Sequence, residues 1–404
     1  MKAIVFLGDG MADYPVPELN HKTPLMAAKT PAMDLIAKNG QTGLFKTIED
    51  DMATGSAVAN LSVLGYDPHV CFEGRGVLEA ASLGVDLEES DLAMRVNLIC
   101  AEEGKIKSHS AGHISDDEAA VLISDLQAHF ADWPIRLTQG LSYRHLLVVP
   151  EGNAGLLCIP PHDYVGAAIA DHLVKATSQD AEQTAQLLNR MIEESARFLK
   201  NHPVNAQREA AGKQAANMLW PWSPGHKPRM QTFHERFGVS GAVISAVDLI
   251  KGLGVYAGLE VIDVPGATGL YDTNYEGKAD ACLDALKRHD FVYVHVEAPD
   301  EAGHEKNLKL KIQCIEDLDQ RLIQRVLNGI SSIDDFVIGL LPDHPTPVAT
   351  GTHVRDAVPV AIWDSAKSPD TVCCFDEESV KNGELGMLRG NDFMSTVFRR
   401  SKNY

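Results

Sequence analysis

Hydrophobic and polar positions along this chain follow two different periods. Short, nearly continuous apolar runs occur at residues 2–7, 291–296, 336–341 and 358–363, and each is bounded by charged residues, glycine or proline. Runs of this length with such boundaries are typical of buried β-strands. Other segments repeat their apolar positions every three to four residues, as an amphipathic helix does. The pattern therefore predicts a fold that mixes strands with helices.

The helical segments have recognisable ends. One is predicted to begin at Pro31, a favoured first-turn residue, and to run to Gly40. A second spans residues 57–64 and stops at Gly65-Tyr66-Asp67-Pro68, while a third covers residues 180–201. From residue 238 onward, strand and helix patterns alternate. Such alternation predicts a doubly wound α/β fold, with a mostly parallel sheet and helices on both faces.

Residues 95–166 show a different pattern. Short β-like runs flank one helical segment at residues 115–130. We interpret this region as a small inserted α/β domain. The catalytic core is then predicted to comprise residues 1–94 and 167–404, with the helix at 180–201 packing back on it.

Composition narrows the class of protein. The 404 residues carry a net charge of −20, which disfavours nucleic acid as a partner. No run of eighteen apolar residues occurs, so a membrane span is not expected, and the N-terminal run is too short for a signal peptide. The seven scattered cysteines are typical of reduced thiols and predict a cytoplasmic protein. A small anionic substrate remains compatible with this charge, because bound cations would dominate the local field.

Residues that bind metals follow several of the predicted strands. Asp9 ends the first strand, whereas two further groups follow the strands at 291–296 and 336–341. In open α/β sheets the carboxyl ends of the strands form the functional edge. Because Asp300 and His304 are four residues apart, a helical turn would place them on one face. The candidate metal ligands at this edge are Asp9, Asp300, His304, Asp343, His344 and His353.

Ser56 has two interpretations. It lies in Thr54-Gly55-Ser56 at the start of a predicted helix, where serine is most often only an N-cap. Alternatively, it is a nucleophile whose oxygen binds a metal and whose helix N-terminus faces a phosphoryl group. The mixed oxygen and nitrogen ligands predict two divalent ions, with Mn²⁺ or Zn²⁺ favoured and Mg²⁺ or Co²⁺ as further candidates. The chain lacks a P-loop motif, and Gly252-x-Gly254 lacks the third glycine of a dinucleotide fingerprint.

The ordered set of motifs resembles the alkaline phosphatase superfamily and, within it, the archaeal-type cofactor-independent phosphoglycerate mutases. The resemblance covers nearly the whole chain. It rests on segments that include Asp9-Gly10, Lys22-Thr23-Pro24-Leu25, Gly55-Ser56, Gly74-Arg75-Gly76, Tyr143-Arg144-His145, Pro265-Gly266-Ala267-Thr268-Gly269, Ala298-Pro299-Asp300-Glu301-Ala302-Gly303-His304 and Asp343-His344.

The resemblance implies an alkaline phosphatase-like core and a site with two metals. One metal would be held by Asp300, His304 and His353, and the other by Asp9, Asp343, His344 and the Ser56 oxygen. The implied reaction converts 3-phosphoglycerate to 2-phosphoglycerate through phospho-Ser56, as in glycolysis. The insertion would supply groups that bind this small phosphorylated substrate. The candidate substrate contacts are Arg75, His113, Arg144 and Lys227.

Some positions depart from the family pattern. Ala57 stands where the family often has aspartate, and residues 108–113 carry histidines where mutases usually have arginines. The aromatic segment 217–225 resembles a subgroup proposed to act as homoserine kinases; its tryptophans would either stack on a substrate or form a hydrophobic strip. The alternatives to a mutase are thus a homoserine kinase, another phosphotransferase or phosphatase on the same site, or a binding protein without catalysis.

Overall fold

The computed structural model describes residues 1–399. Contacts within the chain group these residues into two compact units, one formed by Met1–Phe72 with the chain from Arg229 onward and the other by Glu73–Pro228. The strands, in chain order, are β1 Lys2–Gly8, β2 Gln41–Lys46, β3 Leu92–Glu102, β4 Lys105–Ser108, β5 Arg136–Thr138, β6 Arg144–Val149, β7 Leu156–Leu157, β8 Lys175–Ala176, β9 Met218–Gly225, β10 Gly241–Ile244, β11 Glu260–Ile262, β12 Phe291–Val296, β13 Phe336–Leu341, β14 Val358–Asp364 and β15 Gly386–Arg389.

The helices, in chain order, are α1 Pro24–Ala27, α2 Pro31–Asn39, α3 Ser56–Val63, α4 Pro68–Cys71, α5 Arg75–Ser82, α6 Asp116–His129, α7 Glu182–Leu199, α8 Pro203–Ala210, α9 Phe233–Phe237, α10 Asp248–Tyr256, α11 Tyr275–Arg288, α12 Ala298–His304, α13 Leu308–Asp317, α14 Gln324–Gly329 and α15 Asp392–Val397. Helices α2, α3, α6 and α7 correspond to the four segments for which the sequence predicts helical bounds. Between α13 and α14 the helix continues as a π-helical segment, Leu318–Ile323. Within residues 1–399, no helix has the length and apolar character needed to cross a membrane.

The first unit is built on an eight-stranded sheet in the order β11-β10-β12-β1-β13-β14-β2-β15. Strand β1 lies at its centre and pairs in parallel with β12 and β13. Only β14 runs antiparallel to its neighbours among the strands of this sheet. The predicted doubly wound, mostly parallel α/β fold is therefore confirmed.

Both faces of this sheet are covered. Ile4 and Phe6 pack in one apolar cluster with residues of α2 and α11. On the opposite face, rings from α15 and α9 stack on the sheet through the pairs Phe393–Phe45 and Phe233–Phe291. Alternating side chains of one strand thus reach both helical layers, which explains why the central strands are apolar throughout rather than alternating.

The second unit contains an antiparallel sheet in the order β4-β3-β6-β5, with β9 also paired to β3. This unit is wider than the predicted insertion at residues 95–166, because β9 continues the ladder along β3 and α5 packs against it. Helix α7, predicted to pack back on the core, instead contacts β9 within this unit. These boundaries and this packing correct the prediction, because local patterns do not reveal pairing between strands more than 100 residues apart.

The aromatic segment forms β9. Trp220 is buried and donates from its indole nitrogen to the carbonyl oxygen of Ile159 at 3.0 Å. Trp222 donates to Asn97 Oδ1 at 3.0 Å, and the Arg95 guanidinium lies over its ring. Both tryptophans are therefore held by partners within the second unit, and the choice between a hydrophobic strip and stacking on a substrate stays open.

Candidate active site

The predicted ligands gather where three neighbouring strands end. Strands β12, β1 and β13 are adjacent and parallel, so their carboxyl ends meet at one edge of the sheet. Asp9 follows β1, Asp343 follows β13, and Asp300 lies on α12, which begins directly after β12. The three carboxylates are at most 3% exposed. Buried charges of one sign require compensation by cations or hydrogen-bond donors.

One group of side chains comprises Asp300, His304 and His353, as predicted. Nε2 of His304 lies 3.1 Å from Asp300 Oδ2, and Nε2 of His353 lies 3.4 Å from Asp300 Oδ1. His304 Nδ1 donates to the carbonyl oxygen of Gly351 at 2.9 Å, which leaves Nε2 to face the carboxylate. The ligand atoms of all three residues fall within 4.8 Å of one another, close enough to hold one metal ion.

The second group centres on His344. Its Nε2 lies 3.5 Å from both Asp9 Oδ1 and Asp343 Oδ2, and 3.2 Å from Ser56 Oγ. Ligand atoms of Asp9, Asp300 and His344 also fall within 4.8 Å of one another, so Asp300 adjoins both groups. The structure therefore brings all seven predicted residues together, and the division of the ligands between two metal ions stays a prediction.

Hydrogen bonding orients His344. The hydroxyl of Thr346 donates to Asp300 Oδ1, and its oxygen lies 3.3 Å from His344 Nδ1. Because that hydroxyl has only one proton, the Nδ1 contact requires an N–H on the histidine. Burial lowers the pKa of His344, so the ring is neutral and its Nε2 carries a lone pair. That lone pair points at Ser56 and the two aspartates, which is the tautomer a metal ligand needs.

Ser56 is the first residue of α3 and does not cap it. The N-cap is Gly55, whose φ of 151° lies in a region that side chains other than glycine rarely adopt. No side-chain hydrogen bond caps this helix. The N-cap interpretation of Ser56 is thus wrong, because the hydroxyl faces His344 rather than the N–H groups of the next turn.

Charge at the site favours cations. Burial, then Asp343, Glu297 and Asp300, raises the pKa of Asp9 well above its ordinary range, and Asp9 Oδ1 has no hydrogen-bond partner. The hydrogen bond to Asp300 raises the pKa of His304 to about 9. A site that attracts protons this strongly also attracts metal ions. The free buried oxygen, the carboxylates and the oriented imidazoles together fit a pair of divalent cations.

Sequence reasoning missed Asn60. Its amide nitrogen donates to Asp343 Oδ2 and to the carbonyl oxygen of Ser56, both at 2.9 Å, and its amide oxygen accepts from the hydroxyl of Tyr293. Asn60 thereby links the serine to a metal ligand. The signal was present, since a polar residue lies four positions after Ser56 in an otherwise apolar helix and therefore shares its face.

Lys311 was also missed. It is fully buried on α13, and its ammonium donates to Asp13 Oδ2 at 2.8 Å and to the carbonyl oxygens of Ala12 and Thr346 at 3.1 and 2.8 Å. These acceptors belong to the loops that follow Asp9 and His344. The ammonium of Lys311 thus holds together the loops that follow Asp9 and His344. The sequence of neither loop indicates this contact.

We expect Lys311→Met to lower the free energy of unfolding by about 3–5 kcal/mol, because Asp13 would remain buried without its cation. Chemical denaturation of the metal-free protein measures the change. Lys309→Met is the matched control, since Lys309 lies on the same helix but is exposed, and it should change stability by less than about 0.5 kcal/mol. Equal effects of the two replacements would contradict the structural role given to Lys311.

The second unit contains a basic cavity of about 310 Å³. Two of the predicted substrate contacts line it, namely Arg75 at the start of α5 and Arg144 at the start of β6, and their role in substrate binding stays a prediction. Sequence reasoning missed Arg95, whose Nε lies 2.5 Å from Glu79 Oε1. The complete lining comprises Arg75, Arg95, Asn97, His109, Tyr143, Arg144, His162 and Trp222.

The other two predicted substrate contacts lie beside this cavity or away from it. The His113 ring packs edge-on against His109 and Tyr143, which both line the cavity. Lys227 donates to the carbonyl oxygen of Leu87 at 3.1 Å and lies 3.8 Å from Asp86 Oδ1. A role of His113 or Lys227 in substrate binding stays a prediction.

Comparisons with known proteins identify the family of this chain. The model of the family described as 2,3-bisphosphoglycerate-independent phosphoglycerate mutase matches residues 37–205. The chain is 50% identical over 402 residues to the protein of that name from Methanosarcina acetivorans, covering 99% of this chain and 100% of the relative. A probable mutase from Geobacter sulfurreducens is 46% identical over 405 residues, covering 99% and 100%.

Solved structures of similar proteins have the same fold. The cofactor-independent phosphoglycerate mutase of Thermoplasma acidophilum superposes with a TM-score of 0.71 at 29% identity, covering 99% of each chain. A protein from Pyrococcus horikoshii superposes with a TM-score of 0.85 at 30% identity, covering 100% of this chain and 98% of that one. The chain therefore belongs to the family of 2,3-bisphosphoglycerate-independent phosphoglycerate mutases.

Proposed function

We propose that this protein interconverts 3-phosphoglycerate and 2-phosphoglycerate, with Ser56 as the nucleophile. The observation that carries the proposal is the position of Ser56 Oγ, 3.2 Å from His344 Nε2 within the double group of carboxylates and imidazoles. A serine confined to capping a helix would not face metal-type ligands. The family membership of the chain supports the same reaction.

The reaction consists of two phosphoryl transfers. Ser56 Oγ forms a bond to phosphorus while the bond between phosphorus and the 3-oxygen of the substrate breaks, and the serine proton ends on that oxygen. The 2-hydroxyl of glycerate then attacks the phosphoserine, and Ser56 regains a proton. When bound, two divalent cations neutralise charge on the phosphoryl group and lower the pKa of the hydroxyl. Mn²⁺ is our first candidate, because it accepts oxygen and imidazole ligands together.

The protein's own groups orient this reaction. Asn60 fixes the carbonyl of Ser56 relative to Asp343. The N-terminus of α3 offers N–H groups and a partial positive charge where phosphate oxygens would lie. Gly10, with φ 58°, lets the backbone lie against Asp300, since a Cβ at this position would collide with that carboxylate. The nucleophile is therefore held by bonds from several elements rather than by its own helix alone.

Basic groups in the second unit suit a substrate with a carboxylate and a phosphate. Arg75, Arg95 and Arg144 line one cavity, and a guanidinium binds such groups through paired N–H donors. We propose that this cavity binds the anionic groups of the substrate. The seven cysteines all lie within residues 1–399 and none forms a disulfide there, which supports our proposal of a cytoplasmic location.

The homoserine kinase alternative gains no support from these relatives, and the aromatic segment that suggested it is buried in β9. Incubating the protein and Mn²⁺ with 3-phosphoglycerate, and separately with homoserine and ATP, tests the choice by phosphorus NMR. We expect 2-phosphoglycerate in the first reaction and no homoserine phosphate in the second. The opposite result would replace the mutase by the kinase, and release of inorganic phosphate alone would indicate a phosphatase.

We expect Arg144→Gln to raise KM for 3-phosphoglycerate by about 10–100-fold, because a hydrogen bond to a charged group is worth about 1.5–3 kcal/mol. Steady-state kinetics at saturating Mn²⁺ measures this. Arg190→Gln is the control, since the Arg190 guanidinium lies over the Trp133 ring in the same unit, outside the cavity lining. An unchanged KM in Arg144→Gln would remove Arg144 from the binding site.

A further inference from the structure

His295 lies beside the metal-type ligands without belonging to the predicted set. It occupies β12 in register with Leu7 of β1, so it is one position away from the strand end that carries Asp9. Its Nε2 lies 2.9 Å from Asp9 Oδ2, and both side chains are fully buried. The contact takes one oxygen of Asp9 and leaves the other, Oδ1, as the oxygen that has no partner.

Ser245 fixes the other side of the ring. It follows β10, which pairs with β12, and its hydroxyl oxygen lies 3.2 Å from His295 Nδ1. The same oxygen accepts a hydrogen bond from the backbone N–H of Val247 at 3.0 Å. With a cation on its other oxygen, Asp9 would be an ionised carboxylate that can only accept, so Nε2 would carry the proton that it donates to Asp9. A neutral ring then has a lone pair on Nδ1, and the Ser245 hydroxyl donates to it.

The surroundings also hold this residue in place. The ammonium of Lys278, itself buried, donates to the carbonyl oxygen of His295 at 3.0 Å and so holds its backbone. The chain Ser245–His295–Asp9 is therefore a directed series of hydrogen bonds that runs across three adjacent strands.

We propose that His295 is a positioning residue that orients Asp9 for metal binding, and that Ser245 sets its tautomer. Hydrogen bonds to one oxygen of a ligating carboxylate fix its rotation and direct the other oxygen at the metal. The inference rests on the proposed function, because it requires Asp9 to be a metal ligand. It adds two residues that act through Asp9 and do not touch the substrate.

A third cation held by Asp9, His295 and Glu297 is the competing interpretation, since their ligand atoms also fall within 4.8 Å of one another. Glu297 Oε2 is buried without a hydrogen-bond partner, which is consistent with such a site. The hydrogen bonding decides against it. A nitrogen that donates its proton to Asp9 has no lone pair for a metal, so His295 acts on the carboxylate and not on an ion.

Calorimetric titration of the metal-free protein with Mn²⁺ tests the proposal without an activity assay. We expect two sites in the wild type and about 10–100-fold weaker binding at one of them in His295→Leu. His295→Gln, which can place an amide N–H near the position of Nε2, should recover part of the affinity. Ser245→Ala should weaken binding less than His295→Leu, because it frees the tautomer but keeps the donor. His234→Gln, a change at an exposed histidine, should have no effect.

Nitrogen-15 NMR of the wild-type imidazoles provides a test that does not depend on whether any variant folds. With Mn²⁺ bound, we expect His295 to be neutral with its proton on Nε2. A proton on Nδ1, a metal shift on His295 itself, or a third Mn²⁺ site lost in His295→Leu would overturn the proposal in favour of the cation. Unchanged affinity in folded His295→Leu would overturn the inference alone, whereas a wild type that binds no metal would overturn the proposed function as well.

Discussion

Ser56→Ala is expected to lower turnover by about 10⁴-fold or more, because it removes the oxygen that accepts the phosphoryl group. The fold should remain, with a change of less than about 1 kcal/mol in the free energy of unfolding, since the hydroxyl caps no backbone N–H group and loses only its contact with His344. Steady-state assays of 2-phosphoglycerate formation and thermal melting of the same preparation measure the two quantities.

The matched control is Ser62→Ala on the same helix. Ser62 donates to the carbonyl oxygen of Val58 at 3.3 Å and lies outside both groups of ligands. It should retain nearly full turnover. Mass spectrometry adds a separate test, because rapid quenching of the wild type with substrate should leave one phosphoryl group on the peptide containing Ser56. Turnover in Ser56→Ala above about 1% of the wild type would rule out the phosphoserine route.

The sequence was most informative about the central strands. Residues 291–296 and 336–341 were predicted to the residue, because a parallel strand covered on both faces is apolar throughout and ends abruptly at polar residues. For the same reason the sequence indicates the candidate ligands, since Asp300 and Asp343 follow these strands at the functional edge of the sheet. The apolar pattern of the strands and the candidate metal ligands therefore indicate the same edge of the sheet.

The domain boundary was harder to predict because it depends on pairing between distant segments. Strand β9 joins β3 across more than 100 residues, with Leu98 opposite Leu219. Neither segment specifies the strand with which it pairs. The sequence pattern therefore assigns residues 73–94 and 167–228 to the core. The helix α7 was identified by its period, but a period gives the buried face of a helix and not the sheet that covers it.

The supporting residues were missed for a related reason. Asn60 and His295 lie inside apolar segments, and Lys311 lies between two apolar residues, where a single polar residue is usually taken as a tolerated exception. Each of these three side chains has an acidic partner more than 280 residues away in sequence, besides its nearer partners. Burial of a polar group is costly unless it is paired, so each such position indicates an unseen partner. Sequence alone shows that a partner must exist and leaves its identity open.

Asp300→Asn is expected to remove most of the metal affinity of both groups. A carboxylate oxygen of Asp300 lies within 4.8 Å of ligand atoms in each of them, so Asp300 is the residue they share. Replacing residues that merely orient a ligand commonly costs 10–100-fold, so loss of a shared charged ligand should cost at least about 100-fold. Calorimetric titration with Mn²⁺ measures the affinity. At a metal concentration that stabilises the wild type, a 100-fold loss corresponds to about 2.7 kcal/mol of folding stability.

The metal-free protein separates a ligand from a structural residue. Two effects of the neutral amide oppose each other there. It relieves repulsion on buried Asp9, but it also loses the charge pair with His304 and His353, which holds the pKa of Asp300 well below its ordinary range. Its oxygen can still accept the Thr346 hydroxyl. We therefore expect only a small change in the metal-free melting temperature, while the increase caused by Mn²⁺ disappears. Asp284→Asn, at an exposed position on α11, should change neither quantity. A lower metal-free melting temperature together with an intact Mn²⁺ effect would show that Asp300 supports the fold and binds no metal.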